Sequence, residues 1–495
     1  MSMIQAENLT FSYPGSPDPV FDHASFQIDD RWKLGLIGRN GRGKTTLLRL
    51  LLGEYPHGGT LTASAAFRYF PRPVPNPERL TAEVLEDLCP GAESWRFPRE
   101  LSLLGVEEEA LWRPFSSLSN GERAKALLAA LFLDEGSFPL IDEPTNHLDA
   151  HGRALAAEYL RRQRGFILVS HDRRFLDGCV DHILSLNRAD IQVQSGTYSS
   201  WRENFDRQQQ FEEARNDRLR KDVRRLQQAA RRTSVWSDRV EASKIGAADK
   251  GYVGHKSAKM MKRAKALEVR QEKALEETRS LLKNRETTGA LKLTALPHHA
   301  RTLIRCADLT LWYGDRQVCG PLSFTLEQGE RAVLDGPNGS GKSSVLKLLL
   351  GQPIRCGGTL SLASGLRISW VPQDTSFLRG TLTGFALERG IDESLFKAIL
   401  RKLGFEREQF SRNLEDFSSG QKKKVLIAGS LCEQAHVYVW DEPLNFIDID
   451  SRLQIEELLT RFAPSMLFVE HDRAFQEAVA TTRISLQRRA EPGGA

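Results

Sequence analysis

Short apolar runs, most of them four to six residues long, alternate along most of this chain with stretches of helical periodicity. Lys33–Ile37, Phe138–Ile141 and Gly165–Val169 read as buried parallel strands, and so do Arg331–Leu334, Val437–Trp440 and Met466–Val469. Met3–Leu9 reads as an opening strand, and Leu47–Leu52 as one turn or more of helix. Strands alternating with helices predict an α/β fold with parallel sheets. No run approaches eighteen apolar residues, so a membrane span is excluded. No basic segment followed by an apolar core opens the chain, so no export signal is expected.

The pattern changes between 201 and 290, where proline is absent and apolar residues fall at helical spacing. Leu219, Val223, Leu226 and Ala230 form one stripe, and Met260, Ala264 and Leu267 another. Three glycines between Lys244 and His255 interrupt them. An antiparallel helical hairpin is expected, its first arm of roughly 40 residues spanning about 60 Å and its tip at 244–255.

The two flanks repeat each other. Asn8–Tyr13 matches Asp308–Tyr313, Gly38–Thr46 matches Gly336–Ser344, and Leu118–Glu122 matches Phe417–Gln421. Asp142–Asn146 matches Asp441–Asn445, and Ser170–Asp172 matches Glu470–Asp472, all at offsets of 298 to 300. A duplicated domain at 1–200 and 296–495, separated by an inserted linker at 201–295, is the expected organisation. The chain of 495 residues, 40% hydrophobic and 27% charged, suits such a multidomain globular protein. Its six scattered cysteines contain no Cys-x-x-Cys pair, which predicts neither disulfides nor zinc and points to a reducing cytoplasm.

Charge separates the linker from the rest. Residues 201–290 hold 23 Lys and Arg against 14 Asp and Glu, whereas the remainder holds 46 against 50. A solvated spacer normally balances its charges, so the excess points to a polyanion. Arg231, Arg232, Arg239, Lys244, Lys250, Lys256 and Lys259 are candidate phosphate contacts, with Tyr252 and His255 able to stack on unpaired bases. Trp236 could stack likewise or pack the hairpin onto itself.

Each repeat carries Gly-x4-Gly-Lys-Ser/Thr between a strand and a helix: Gly38–Thr45 and Gly336–Ser343. Backbone amides of such a loop close around phosphates, lysine reaches the β and γ oxygens, and the hydroxyl ligates Mg2+. Gly38, Asn40, Gly41, Gly43, Lys44, Thr45 and Thr46 are therefore nucleotide candidates, with Gly336, Asn338, Gly339, Gly341, Lys342, Ser343 and Ser344 in the second copy. Asp142 and Asp441 suit a water-mediated metal contact, and Glu143 and Glu442 suit activation of the attacking water. His171 and His471 follow a second strand at an offset of 300 and suit a γ-phosphate contact. Tyr13 and Tyr313 offer a face to adenine, or belong to the core. No guanine-reading motif appears, which favours ATP.

Leu118-Ser-Asn-Gly-Glu122 and Phe417-Ser-Ser-Gly-Gln421 resemble the signature motif of ATP-binding cassette (ABC) domains. The resemblance implies two tandem cassettes facing head to tail within one monomeric chain. Site one would join Lys44, Thr45, Asp142, Glu143 and His171 to Ser418 and Gly420; site two would join Lys342, Ser343, Asp441, Glu442 and His471 to Ser119 and Gly121. Two cassettes on a basic helical linker resemble the ABC-F class. Trp440–Asp448 and Trp32–Gly38 are similar to its antibiotic-resistance, Lsa- and Vga-like branch. That similarity implies binding to the 70S ribosome at the E site, near 23S rRNA and P-site tRNA. It also implies displacement of lincosamides, streptogramin A or pleuromutilins by the linker, without a transmembrane partner. A housekeeping ABC-F translation factor, a transporter ATPase and a DNA-associated ATPase are the alternatives. Against the housekeeping factor, only 75 and 76 residues separate Lys44 from Ser119 and Lys342 from Ser418, and 24 follow His471, so neither an arm insert nor a long tail is expected.

The family's magnesium-touching glutamine is Gln373 in the second copy, but Arg72 stands at that place in the first. Arginine cannot ligate a cation, though it could meet phosphate or an acid. Unequal hydrolysis, with site one slower, is the expectation.

Overall fold

The computed structural model describes residues 3–14, 19–134, 136–187, 190–242, 293 and 295–486, together with 259, 261–262, 265–266, 269–270 and 273. The chain divides into two compact units, one holding both repeats (1–187, 191–198 and 288–495) and one holding 188–190 and 199–287.

Each repeat contains a mainly parallel sheet and a three-stranded antiparallel sheet. In the first, the order is Ala66–Phe70, Ser137–Asp142, Phe166–Val169, Lys33–Ile37, His182–Leu186, Ile191–Ser195, with only the last strand antiparallel to its neighbour. In the second it is Ile368–Val371, Val437–Asp441, Met466–Val469, Arg331–Asp335, Thr482–Ser485, all parallel. The antiparallel sheets are Phe21–Asp29, Met3–Phe11, Gly58–Ala63 and Arg316–Glu327, Thr302–Tyr313, Arg355–Leu362. This is the tandem α/β architecture expected.

The apolar runs read as parallel strands are buried on both faces: all four residues of Phe166–Val169 and of Met466–Val469 are interior. In each repeat the helix after the glycine-rich loop lies in the core between the two sheets, with Leu47 and Leu48 or Val345 and Leu346 fully buried. Full burial of one such side chain contributes about 1.5–3 kcal/mol. That packing fixes the loop in front of the helix against the strand ends.

Register then gathers the chemistry. Asp142 pairs with Val169 and Asp441 with Val469, at equivalent strand ends. The glycine-rich loop, the Asp-Glu pair and the histidine thus leave the carboxyl ends of three adjacent strands, the usual ligand edge of a parallel sheet.

In the linker, a single helix runs from Tyr198 to Ala242, 45 residues, for a length of about 68 Å at 1.5 Å per residue. It is somewhat longer than the arm expected. The expected tip at 244–255, with Lys244, Lys250, Tyr252, His255 and neighbouring Lys256, lies outside the described residues, as do the side chains of Arg231, Arg232 and Arg239. Lys259 is helical and exposed.

Candidate active sites

Gly43 and Gly341 adopt φ of 87° immediately before their helices. A Cβ would strike Val20 Cγ1 at 2.6 Å in the first case and Cys319 Cβ at 2.8 Å in the second, so glycine is required for both conformation and space. Gly38 and Gly336 similarly press on the carbonyls of Leu186 and Leu486, whereas Gly41 and Gly339 turn in the open at φ 88° and 80°. Lys44 Nζ donates to the Gly38 carbonyl at 2.6 Å, and Lys342 Nζ to that of Gly336 at 2.8 Å. Each ammonium therefore lies across the mouth of its loop. Burial lowers the pKa of both lysines, Asp448 and Glu143 leading the opposing charges on the first and Glu442 on the second.

Thr45 Oγ1 donates to Asp142 Oδ2 at 2.8 Å, and the Ser343 hydroxyl bonds to Asp441. Asp441 Oδ1 is buried with no hydrogen-bond partner among the described residues. A hydroxyl against a carboxylate with a spare buried oxygen fits a divalent cation held directly by Thr45 or Ser343 and through water by Asp142 or Asp441. Bound Mg2+ would supply neutralisation of phosphate charge at that point.

Glu143 and Glu442 have φ of 50° and 45°, a conformation uncommon outside glycine. Their amides donate to the carbonyls of Val169 and Val469, both at 2.9 Å, which holds the turn. His171 Nε2 lies 3.4 Å from Glu143 Oε1, and His471 Nε2 lies 3.5 Å from Glu442 Oε1. Burial, with Lys44 and Arg452 nearby, pushes the His171 pKa well down, so the ring is neutral at physiological pH.

Tyr13 shares a hydrogen bond with Thr46 at 2.8 Å, and Ser344 donates to Tyr313 at 3.3 Å. Both rings remain 40–50% exposed. They are tethered by the hydroxyl and too exposed for a core position, and Tyr13 also packs edge to face with Phe11 and Tyr55.

The signature residues cap helices. Ser119 caps Asn120–Leu133 in a reciprocal box with Glu122, and Ser418 caps Ser419–Cys432 with Gln421. The repeats also meet head to tail. Asn40 Nδ2 donates to the Phe446 carbonyl at 2.9 Å, beside Gly420, and Arg39 lies 3.8 Å from Asp450. Reciprocally, Asn338 approaches the His147 carbonyl and Asp149, each at 3.4 Å, with Gly121 against His147. Asn40 and Asn338, nucleotide candidates from sequence, each direct a side-chain N–H to the facing repeat. Arg173 with Glu456 and Arg174 with Glu477 add further bridges between repeats.

The two sites differ. In site two Gln373 Nε2 donates to Glu442 Oε2 at 2.8 Å, and Asn445 joins at 2.6 Å. Burial raises the Glu442 pKa, but the His471 ring 3.5 Å away and hydrogen bonds from Asn445 and Gln373 outweigh it and hold it at about 2. In site one Arg72 donates to the Leu88 carbonyl at 2.8 Å. Burial and then Asp142 push Glu143 up to about 8. Tyr69, which sequence reading passed over, donates to Asp142 Oδ2 at 2.9 Å. Position by position comparison of the repeats was the available signal, since Tyr69 stands where the second copy has Trp370.

A model of the ABC transporter family matches residues 21–146 and again 319–445. Ribosome protection protein VmlR of Bacillus subtilis (strain 168) is 28% identical over 482 residues, covering 96% of this chain and 85% of that protein. Energy-dependent translational throttle protein EttA of Escherichia coli (strain K12) is 26% identical over 509 residues, covering 92% and 87%. Among solved structures, an RNase-L Inhibitor superposes with a TM-score of 0.63 at 19% identity, covering 98% of this chain and 88% of the other, a likeness of fold.

Proposed function

We propose, from the premise that this chain belongs to the ABC transporter family in its ABC-F class, that it is a ribosome-protecting ATPase. That it is an ATPase follows from the family. In the proposed reading it engages the 70S ribosome at the E site with ATP held between its repeats. The basic linker then reaches towards the peptidyl-transferase centre and displaces lincosamide, streptogramin A or pleuromutilin antibiotics.

The carrying observation is the pair of composite sites, each phosphate loop set against the facing repeat through Asn40 or Asn338. Nucleotide held at such a seam favours the closed arrangement, and closure is what a ribosome would select. In each site Lys and Ser/Thr would hold the phosphates and Mg2+, Glu143 or Glu442 would orient the lytic water, and His171 or His471 would contact the γ-phosphate. The net +9 of residues 201–290 supports a linker that meets rRNA. Among the described residues no helix is long and apolar enough to cross a membrane. The near-equal similarity to EttA keeps a housekeeping translation factor as the second reading.

The test is ribosome co-sedimentation of the Glu143→Gln/Glu442→Gln double variant. ATP-dependent appearance with 70S particles is expected. Failure to sediment despite confirmed ATP retention would refute the ribosome reading. Protection of in vitro translation against each drug class then separates resistance from housekeeping.

A further inference from the structure

The signature helices carry an unequal position. Where the first repeat has Ala124, the second has Lys423, a lysine only 2% exposed. A buried ammonium is costly unless its protons are taken up. Lys423 Nζ donates to the Pro372 carbonyl at 2.8 Å and to the Asp441 carbonyl at 3.4 Å. Pro372 immediately precedes Gln373, and Asp441 immediately precedes Glu442. One cation therefore clasps the two segments whose next residues meet as Gln373 Nε2–Glu442 Oε2, 2.8 Å apart.

A second unequal position accompanies it. Ser170 of the first repeat is Glu470 in the second, also 2% exposed. Glu470 accepts from the amides of His471 at 2.8 Å, Leu444 at 3.2 Å and Asp472 at 3.3 Å. Its charge, with those of Asp441 and Glu442, acts on Lys423. The second repeat thus buries a positive and a negative group behind its site, where the first has Ala124 and Ser170. In that first repeat Arg72 is turned to Leu88 and makes no equivalent of the Gln373 contact.

We propose that Lys423 is a positioning residue of site two, holding the Pro372–Gln373 turn against Asp441 so that Gln373 keeps Glu442 aimed at the lytic water. The inference rests on reading Glu442 as the water-orienting carboxylate. It makes the inequality of the two sites a property of the framework behind them as well as of Arg72.

The full-length chain with Glu143→Gln, which leaves site two as the source of turnover, is the parent for the test. Lys423→Ala alone would leave Glu470 facing only Arg452 of the two buried cations that act with it, so the main variant is Lys423→Ala/Glu470→Ser, a pair of residues with which the first repeat folds. Expected is a fall in kcat of about tenfold, with KM for ATP within twofold of the parent. Gln373→Ala, costly in the parent, should cost almost nothing further in the double variant, because both changes remove one contact. Unchanged kcat overturns the proposal. So does an additive Gln373→Ala effect, or a joint collapse of kcat, KM and melting temperature, which would mark a structural role only. If the double variant does not fold, Lys423→Met receives the same cycle. Turnover absent in the Glu143→Gln parent itself would instead overturn the assignment of site two as hydrolytic, a failure visible before Lys423 is touched.

Discussion

Replacing Gly420 and, separately, Gly121 by alanine probes how closely the two repeats are fitted. Both glycines are the second residue of a signature helix. Alanine in a helix is favoured over glycine by up to roughly 1 kcal/mol. At Gly121 the new Cβ meets the His147 carbonyl at 3.2 Å, a contact relieved by a few tenths of an ångström, so propensity and crowding nearly cancel. At Gly420 it meets the Phe446 carbonyl at 2.3 Å, and that oxygen must retreat to at least 3.0 Å. The same oxygen accepts from Asn40 at 2.9 Å, so retreat costs this bond, about 1 kcal/mol, on top of about 1–3 kcal/mol of overpacking. The net expectation for Gly420→Ala is a loss of about 1–3 kcal/mol, and for Gly121→Ala about zero. Thermal melting of the nucleotide-free chain reads this directly: at roughly 2–4 °C per kcal/mol for domains of this size, Gly420→Ala should lower the midpoint by about 2–12 °C. Gly121→Ala should leave it within about 2 °C. Gly420→Ala should also weaken binding of a non-hydrolysable ATP analogue at site one, where Asn40 is part of the phosphate loop. Equal shifts for the two variants would refute the reasoning.

Other outcomes follow from the site geometry. Glu442→Gln should remove most steady-state ATPase activity, whereas Glu143→Gln should remove less than half; comparable losses would contradict unequal sites. Tyr69→Phe, which deletes a hydrogen bond to Asp142, should weaken Mg2+-ATP binding at site one by a few fold, about 1 kcal/mol, measured by titration with a fluorescent nucleotide. Glu143, raised from 4.5 to about 8, retains a proton that the unfolded chain releases, so nucleotide-free stability should fall as pH rises from 4.5 to 8, by at most about 1.4 kcal/mol per pH unit. Glu143→Gln should flatten that fall in a melting series across pH. Neutralising Arg231, Arg232, Arg239 and Lys259 together should weaken ribosome association and lower its salt dependence while ATP affinity stays unchanged; an unaltered salt slope would count against rRNA contact.

Much of this arrangement is legible in the sequence because local rules and global fold agree. Strands buried on both faces need continuous apolar runs, and the glycine-rich loops need glycine where φ is positive, so both leave a mark in one dimension. Thr45 lies 2.8 Å from Asp142, and His171 3.4 Å from Glu143. What stayed hidden depends on tertiary neighbours. Nothing in the run Lys422-Lys423-Lys424 announces burial, yet Lys423 and Lys424 are buried, the latter on Asp448 at 2.5 Å. Arg72 stands where the second copy has Gln373, and its bond to the Leu88 carbonyl is likewise set by a tertiary neighbour. The amides of Asn40 and Asn338 find their acceptors some 400 and 190 positions away in the chain, which no local pattern announces.

The reciprocal seam between the repeats bears on how the activity is inherited and regulated. Since each phosphate loop meets residues of the other half, both faces of the seam are made together by one translated chain. Closure is then a first-order event whose equilibrium is set by the tether and not by how much protein a cell contains. Very few copies therefore suffice for closure, where two separately encoded halves would first have to find each other. Severing the chain between its halves would make activity depend on the square of concentration, and dominant interference between mismatched halves would become possible.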